Sequence, residues 1–232
     1  MEEETSPDNL IKVSCLVPAF NEGPRIAGVL KALANHPLIS EIIVIDNHST
    51  DDTAQVAAQF PVKVIEQLDK GKTKAIIAGI KEAKEDLIML IDSDLVGLTP
   101  EAITELIEPV LQGKADISIS LRINSPKFWR DIGLDYISGE RVLPKKLLAD
   151  HIEELSRLSN FGLETFMNKL ILQAKYRIKI VPWSHVESPY KYKKDGMWTG
   201  IKGDAKMMRD IFRVASPWEI LIMIIKMRHR RV

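Results

Sequence analysis

An apolar run, Leu87-Ile-Met-Leu-Ile91, ends at Asp92-Ser-Asp94. In an extended chain, residues two apart project to the same side, so Asp92 and Asp94 present their oxygens to one point. A hard divalent cation, Mg²⁺ or Mn²⁺, takes such ligands and completes its shell with substrate phosphates, where it can neutralise a departing diphosphate. The competing reading is a polar strand end whose carboxylates only cap the turn, and two residues alone do not decide between them. Three other segments stand in equivalent places after short strands: Pro18-Ala-Phe-Asn-Glu22, Asp46-Asn-His-Ser-Thr-Asp51 and Gly71-Lys72.

What makes these places equivalent is the alternation around them. Val13–Val17, Glu41–Ile45, Val62–Ile65, Leu87–Ile91 and Asp116–Leu121 read as short strands, and helical periodicity follows through Ile26–Leu33, Thr53–Gln59, Lys74–Lys84 and Thr99–Leu111. Thr99 before Pro100 is a helix-start signal. Strands that are continuously apolar and separated by helices are buried on both faces of a mostly parallel sheet. In such sheets ligands bind at the carboxyl ends of the strands, where the four segments lie. Beyond Leu121 the pattern weakens. Arg122–Asp150 reads as loop, Phe161–Lys175 as helix, Arg177–Val181 as strand and Ala205–Val214 as helix.

The chain has 232 residues, 45% apolar and 28% charged, which suits one domain with appendages. Lys plus Arg and Asp plus Glu are 32 each, so no global field draws the chain to nucleic acid, and none is expected as a partner. One cysteine, Cys15, suits a reducing compartment, the cytoplasm. The acidic segment Met1–Asn9 has no signal-peptide pattern and reads as a frayed tail.

Four motifs in order, Val17-Pro-Ala-Phe-Asn-Glu22, Glu41–Asp46 with Ser49-Thr-Asp-Asp-Thr53, Asp69-Lys-Gly-Lys72, and Leu90-Ile-Asp-Ser-Asp-Leu95, resemble glycosyltransferase family 2. The resemblance is narrower with the branch of polyprenyl-phosphate (dolichol-phosphate-mannose-type) and glucosyl-3-phosphoglycerate synthase-like enzymes. It implies a GT-A fold, Rossmann-like, and an inverting, metal-dependent hexosyl transfer from a UDP- or GDP-linked sugar. It also implies that Pro18, Ala19, Asn21, Glu22, Asp46, Asn47, Lys72, Asp92 and Ser93 bind the nucleotide sugar. Asp92 and Asp94 would hold Mg²⁺ or Mn²⁺, with Asp94 central to catalysis. For Asp46–Asp52 helix capping is a second reading, since Ser49 and Asp52 approximate a capping box. For Lys72 the second reading is a solvated lysine.

On the acceptor side, Ser138-Gly-Glu-Arg141 resembles the branch's Ser-Gly-x-Arg element and Arg122 its other arginine. Two such forks would grip a phosphate on a lipid or small-molecule acceptor, with Arg141 also catalytic; ordinary ion pairs are the alternative. Glu164 matches the position of a catalytic base, or is a helix-start residue favoured by the dipole. His185 resembles a further metal ligand of some relatives, or is structural. Asp-Ser-Asp-Leu-Val96 lacks the glutamine that dolichol-type enzymes carry after their acidic pair, which strengthens the case for His185. The Gln-x-x-Arg-Trp signature of processive members is absent, against a polymer synthase.

The expected organisation is a tail over 1–10, a GT-A domain over 11–215 and a C-terminal apolar helix with a basic end over 216–232. Within the domain, 11–121 holds the nucleotide sugar and 122–215 the acceptor. The C-terminal segment can lie on the inner face of a membrane or pack on the body or a second subunit of a homodimer; with no clear polar face at Ile220–Ile225, packing is favoured. Polyprenyl phosphate leads as acceptor, followed by a small soluble one such as 3-phosphoglycerate. A nucleotidyltransferase would place a Gly-rich basic loop after the first strand, which Pro18–Gly23 is not. A non-catalytic nucleotide-binding module would bind nucleotide without turnover.

Overall fold

A computed structural model describes residues 12–158, 162–189, 209 and 212–232. The tail and most of the helix expected at Ala205–Val214 lie outside the described residues. Seven strands, β1 (Val13–Ala19), β2 (Ile39–Asp46), β3 (Lys63–Glu66), β4 (Leu87–Leu90), β5 (Ile117–Arg122), β6 (Arg141–Pro144) and β7 (Ile178–Trp183), form one sheet in the order β3-β2-β1-β4-β6-β5-β7. All pairs are parallel except those of β6, which runs against β4 and β5. The expected mostly parallel α/β sheet is present.

Helices α1 (Gly23–Leu33), α2 (Thr53–Ala57), α3 (Lys72–Glu82) and α4 (Pro100–Leu111) connect the strands, and α5 (Lys127–Ile132), α6 (Lys146–Ala149), α7 (Ile152–Ser156) and α8 (Leu163–Gln173) follow. Two apolar clusters cover the two faces of the sheet. One gathers Leu16, Ile43, Ile45, Ile76 and Ile88, the other Cys15, Val17, Val44, Met89, Ile26 and Leu30. Neighbours in β1 thus go to opposite faces and both are buried, so Cys15, Leu16 and Val17 are apolar in succession. Thr99 caps α4 by accepting from the Ala102 N–H, as its sequence predicts.

Two expectations are corrected. Arg122–Asp150 is not loop: it holds α5, β6 and α6, with β6 in the middle of the sheet. No capping box forms at α2. The Ser49 hydroxyl instead accepts from the Asn21 N–H at 2.9 Å, and Asp51 accepts from the Thr53 N–H at 3.1 Å.

The last helix, α9 (Pro217–His229), carries a full capping box between Ser216 and Glu219. It buries Met223, Ile224 and Met227 in the cluster shared with α8. After it, the Val232 N–H donates to Ile178 O at 3.0 Å and the Ile178 N–H to Arg230 O at 2.9 Å, so the chain rejoins the sheet along β7. Packing on the body, the favoured reading, is what this face of the helix does.

Candidate active site

The loops after β1, β2, β3 and β4 are bound to one another by side chains that sequence motifs place there. Asn21, at φ 53°, donates through its backbone to Ser49 and accepts at Oδ1 from the Thr50 N–H at 2.8 Å. The Glu22 N–H donates to Thr53 Oγ1 at 2.9 Å, the Gly71 N–H to Asn47 Oδ1 at 3.1 Å, and Ser93 Oγ to Pro18 O at 2.9 Å. Short polar residues hold backbone in turns in this way.

These loops enclose a cleft of about 230 Å³. Its walls contain Pro18, Ala19, Glu22, Asn47, Lys72, Asp92, Ser93 and Asp94, all expected nucleotide or metal residues. Phe20 joins them unforeseen: its ring is 45% exposed, with Lys70 Nζ 5.5 Å from its centroid. Asn21 is not in the wall but clasps two loops from outside it. Asp46 is buried at the end of β2, and its Oδ1 has no hydrogen-bond partner among the described residues.

Lys72 opens α3 directly after Gly71 and spans the cleft. Its Nζ donates to Asp92 Oδ1 at 2.8 Å and to Glu164 Oε1 at 3.1 Å. Burial works against the ammonium, but the two carboxylates outweigh it and raise its pKa. Burial likewise pushes Asp92 upward, and Lys72 overcomes this to leave the carboxyl below its ordinary value. Lys72 is therefore not a solvated lysine. Glu164, in the first turn of α8, is joined to Asp92 through it.

Both arginines are engaged by partners within the chain. Arg122, at the end of β5, pairs with Glu140 at 2.9 Å and Asp135 at 3.5 Å, both carboxylates fully buried. Burial raises the Glu140 pKa against the pull of Arg122, and Ser120 and Ser138 each donate to Glu140 Oε2 at 2.8 Å. Arg141 is 0% exposed. Its donors go to Ser138 O at 2.9 Å, Asn168 Oδ1 at 2.7 Å and Tyr136 O at 3.4 Å. The guanidinium expected to grip an acceptor is a buried strut in this geometry.

His185 follows β7 with its side chain exposed, and it is not in the cleft wall. Its carbonyl lies where a Cβ on Gly97 would stand, 2.1 Å away, which is why Gly97, at φ 79°, carries none. Among the described residues no three His, Cys, Asp or Glu side chains are grouped as metal ligands, so the expected set of Asp92, Asp94 and His185 is not gathered.

The family model for glycosyl transferase family 2 matches residues 14–177. The chain belongs to glycosyl transferase family 2. Every candidate residue except His185 falls within that match. Dolichol-phosphate mannosyltransferase of Pyrococcus furiosus is 36% identical over 119 residues, 48% of this chain and 33% of that protein. Undecaprenyl-phosphate 4-deoxy-4-formamido-L-arabinose transferase of Sodalis glossinidius is 31% identical over 136 residues, 54% of this chain and 41% of that one. The match thus spans well under half the length of these curated relatives. Glucosyl-3-phosphoglycerate synthase from Mycobacterium tuberculosis, solved with Mn²⁺, UDP and phosphoglyceric acid, superposes with a TM-score of 0.70 at 20% identity, covering 92% of this chain and 78% of that one. That likeness establishes the GT-A fold.

One residue of this family 2 site carries no chemistry of its own. Because β6 is antiparallel with Arg141 opposite Leu90, the residues preceding it come alongside Asp92. A Cβ on Gly139 would stand 2.8 Å from Asp92 Oδ2 and 2.9 Å from Lys72 Nζ. Both are side-chain ends that can shift, so Gly139→Ala is expected to fold with a near-normal melting temperature while displacing the Lys72–Asp92 pair. Steady-state kinetics should show turnover reduced by about 10²-fold, the usual effect of misplacing catalytic groups by about 1 Å. Equal loss of stability and activity would mean the methyl group disturbs the fold instead.

Proposed function

We propose that this chain transfers a hexosyl group from a UDP- or GDP-linked sugar to a phosphate-bearing acceptor, with inversion at the anomeric carbon. The observation that carries the reading is the Lys72 bridge. One ammonium holds the Asp92 carboxylate of the nucleotide side and the Glu164 carboxylate of the acceptor side at 2.8 and 3.1 Å, in a cleft walled by the family's motifs.

Each side chain then has a role. The unpartnered Asp46 Oδ1 accepts from an imino N–H of the base, which satisfies a buried acceptor that is costly to leave bare. The Phe20 ring, exposed in the cleft wall, gives the base an apolar face to pack on. Lys72 faces the diphosphate. Asp92 and Asp94 are hard oxygen donors side by side in the wall, so their chemistry fits Mg²⁺ or Mn²⁺. When bound, such an ion supplies positive charge against the charge that develops on the leaving diphosphate. His185 would contribute to this site only if its exposed ring turned inward.

The acceptor oxygen attacks the anomeric carbon as the bond to the diphosphate breaks. A phosphate acceptor is already a nucleophile at neutral pH, whereas a hydroxyl acceptor hands its proton to Glu164. Polyprenyl phosphate is the preferred acceptor, supported by the names of the relatives from Pyrococcus and Sodalis. Arg122 is the acceptor-side cation at the cleft end of its strand, and an incoming phosphate competes with Glu140 and Asp135 for it. Small phosphorylated acceptors such as 3-phosphoglycerate form the second choice. The buried thiol of Cys15 is compatible with a cytoplasmic setting.

Thermal-shift binding of UDP-, GDP- and dTDP-sugars, with and without Mn²⁺, tests the donor site. A Mn²⁺-dependent rise in melting temperature with one nucleotide is expected. No rise with any sugar nucleotide would remove the reading. Turnover with polyprenyl phosphate in detergent, compared with 3-phosphoglycerate in buffer, then selects the acceptor.

A further inference from the structure

The helix α9 is apolar on the side it buries and on the side it does not. Met223, Ile224 and Met227 enter the core. On the opposite side Trp218, Leu221 and Ile225, spaced three and seven residues apart, fall on one face and remain 69%, 43% and 48% exposed. A surface helix ordinarily turns polar residues outward. Here the outward stripe is led by a tryptophan, the side chain best suited to a water–lipid boundary.

The charge around the stripe has one sign. From Ser216 to Val232 the cations are Lys226, Arg228, Arg230 and Arg231, and the sole acid is Glu219, which is occupied in the capping box. Arg230 and Arg231 also donate to the carbonyls of Lys175, Ile132 and Gly133, which fixes the basic end against the body. Beside Ile225, a recess of about 270 Å³ is lined by Arg228, His229 and Arg231. An apolar stripe that ends in a cationic recess complements a phospholipid surface, with acyl chains against the stripe and a headgroup phosphate in the recess. Among the described residues no helix is long and apolar enough to cross a membrane.

We propose that the outer face of α9 docks the protein on an anionic phospholipid bilayer, through Trp218, Leu221 and Ile225 and the basic end from Lys226 to Arg231. The helix α9 rests on α8, and its basic end lies beside Ile178 at the start of β7. The docking does not depend on which acceptor is used or on turnover.

The test is co-sedimentation of the full chain with vesicles of phosphatidylcholine alone and of phosphatidylcholine with phosphatidylglycerol. The wild type is expected to pellet with the anionic vesicles and to be released by salt. Arg228→Ala should weaken binding roughly fivefold, the usual effect of one surface cation. The triple change Trp218→Ser, Leu221→Ser, Ile225→Ser should abolish it with the melting temperature unchanged, since all three side chains lie outside the core. Trp218→Phe should retain binding yet lose the blue shift of tryptophan emission that vesicles produce in the wild type. Wild type left in the supernatant with both vesicle types would overturn the proposal. So would a triple variant that binds as the wild type does, or a wild type that ignores vesicles and sediments as a dimer which the triple change dissociates.

Discussion

Asp94→Ala is expected to lower kcat/KM by about 10³-fold or more, the scale of losing charge stabilisation at a leaving diphosphate. The carboxylate stands in the cleft wall one residue beyond Ser93, which is fastened to Pro18 O at 2.9 Å, so its position is set by the backbone. Asp92 cannot replace it, because one of its oxygens is engaged by Lys72 at 2.8 Å. The cleft is already crowded with carboxylates, so removing one should leave the melting temperature close to wild type. The Mn²⁺-dependent part of the nucleotide thermal shift should vanish along with turnover. A variant that retains a tenth of wild-type activity under saturating Mn²⁺ would exclude Asp94 from the chemistry.

Arg141→Met is expected to act on stability, with a cost of about 2–5 kcal/mol, since each buried acceptor left without its donor costs about 1–3 kcal/mol. Methionine fills the volume but leaves Asn168 Oδ1 and Ser138 O without their donor, in a place no water reaches. Urea unfolding should show a lower midpoint with an unchanged slope. Arg141→Lys should recover only part of the loss, since an ammonium cannot reproduce the planar fork. Should Arg141→Met instead unfold with the wild type and raise only the acceptor KM, the guanidinium would be an acceptor contact after all.

The difference between these two residues shows what a single sequence can disclose. Asp94 was legible because its spacing from Asp92 and its place after an apolar strand are local facts. The same holds for β1, β2 and β4, whose unbroken apolar runs predict burial on both faces, and for Thr99 at the start of α4. Arg141 was legible as an arginine but not as a core residue, because its burial depends on Asn168, 27 positions away, and on the carbonyls that turn toward it. The strand β6 escaped for a related reason. Four residues that begin with arginine and end with proline have no periodicity of their own, and only the slot between β4 and β5 makes them a strand. Glu140 and Gly139 were in view within Ser138–Arg141, yet a carboxylate that supports Arg122 and a glycine that makes room for Asp92 are defined by their neighbours in space.

The reversed strand also bears on modularity. The nucleotide motifs end before residue 122, which invites treating residues 11–121 as a separable binding unit. However, β6 lies between β4 and β5, so a chain cut after β5 would lack the strand that joins them. The open edges of β4 and β5 would face each other across a gap one strand wide, about 9–10 Å, with two ladders of hydrogen bonds unmade. The proposed boundary between donor and acceptor chemistry is therefore not a boundary of folding. Exchanging acceptor halves between relatives would require β6 to be grafted with its two flanking strands, so that acceptor preference and completion of the sheet are inherited together.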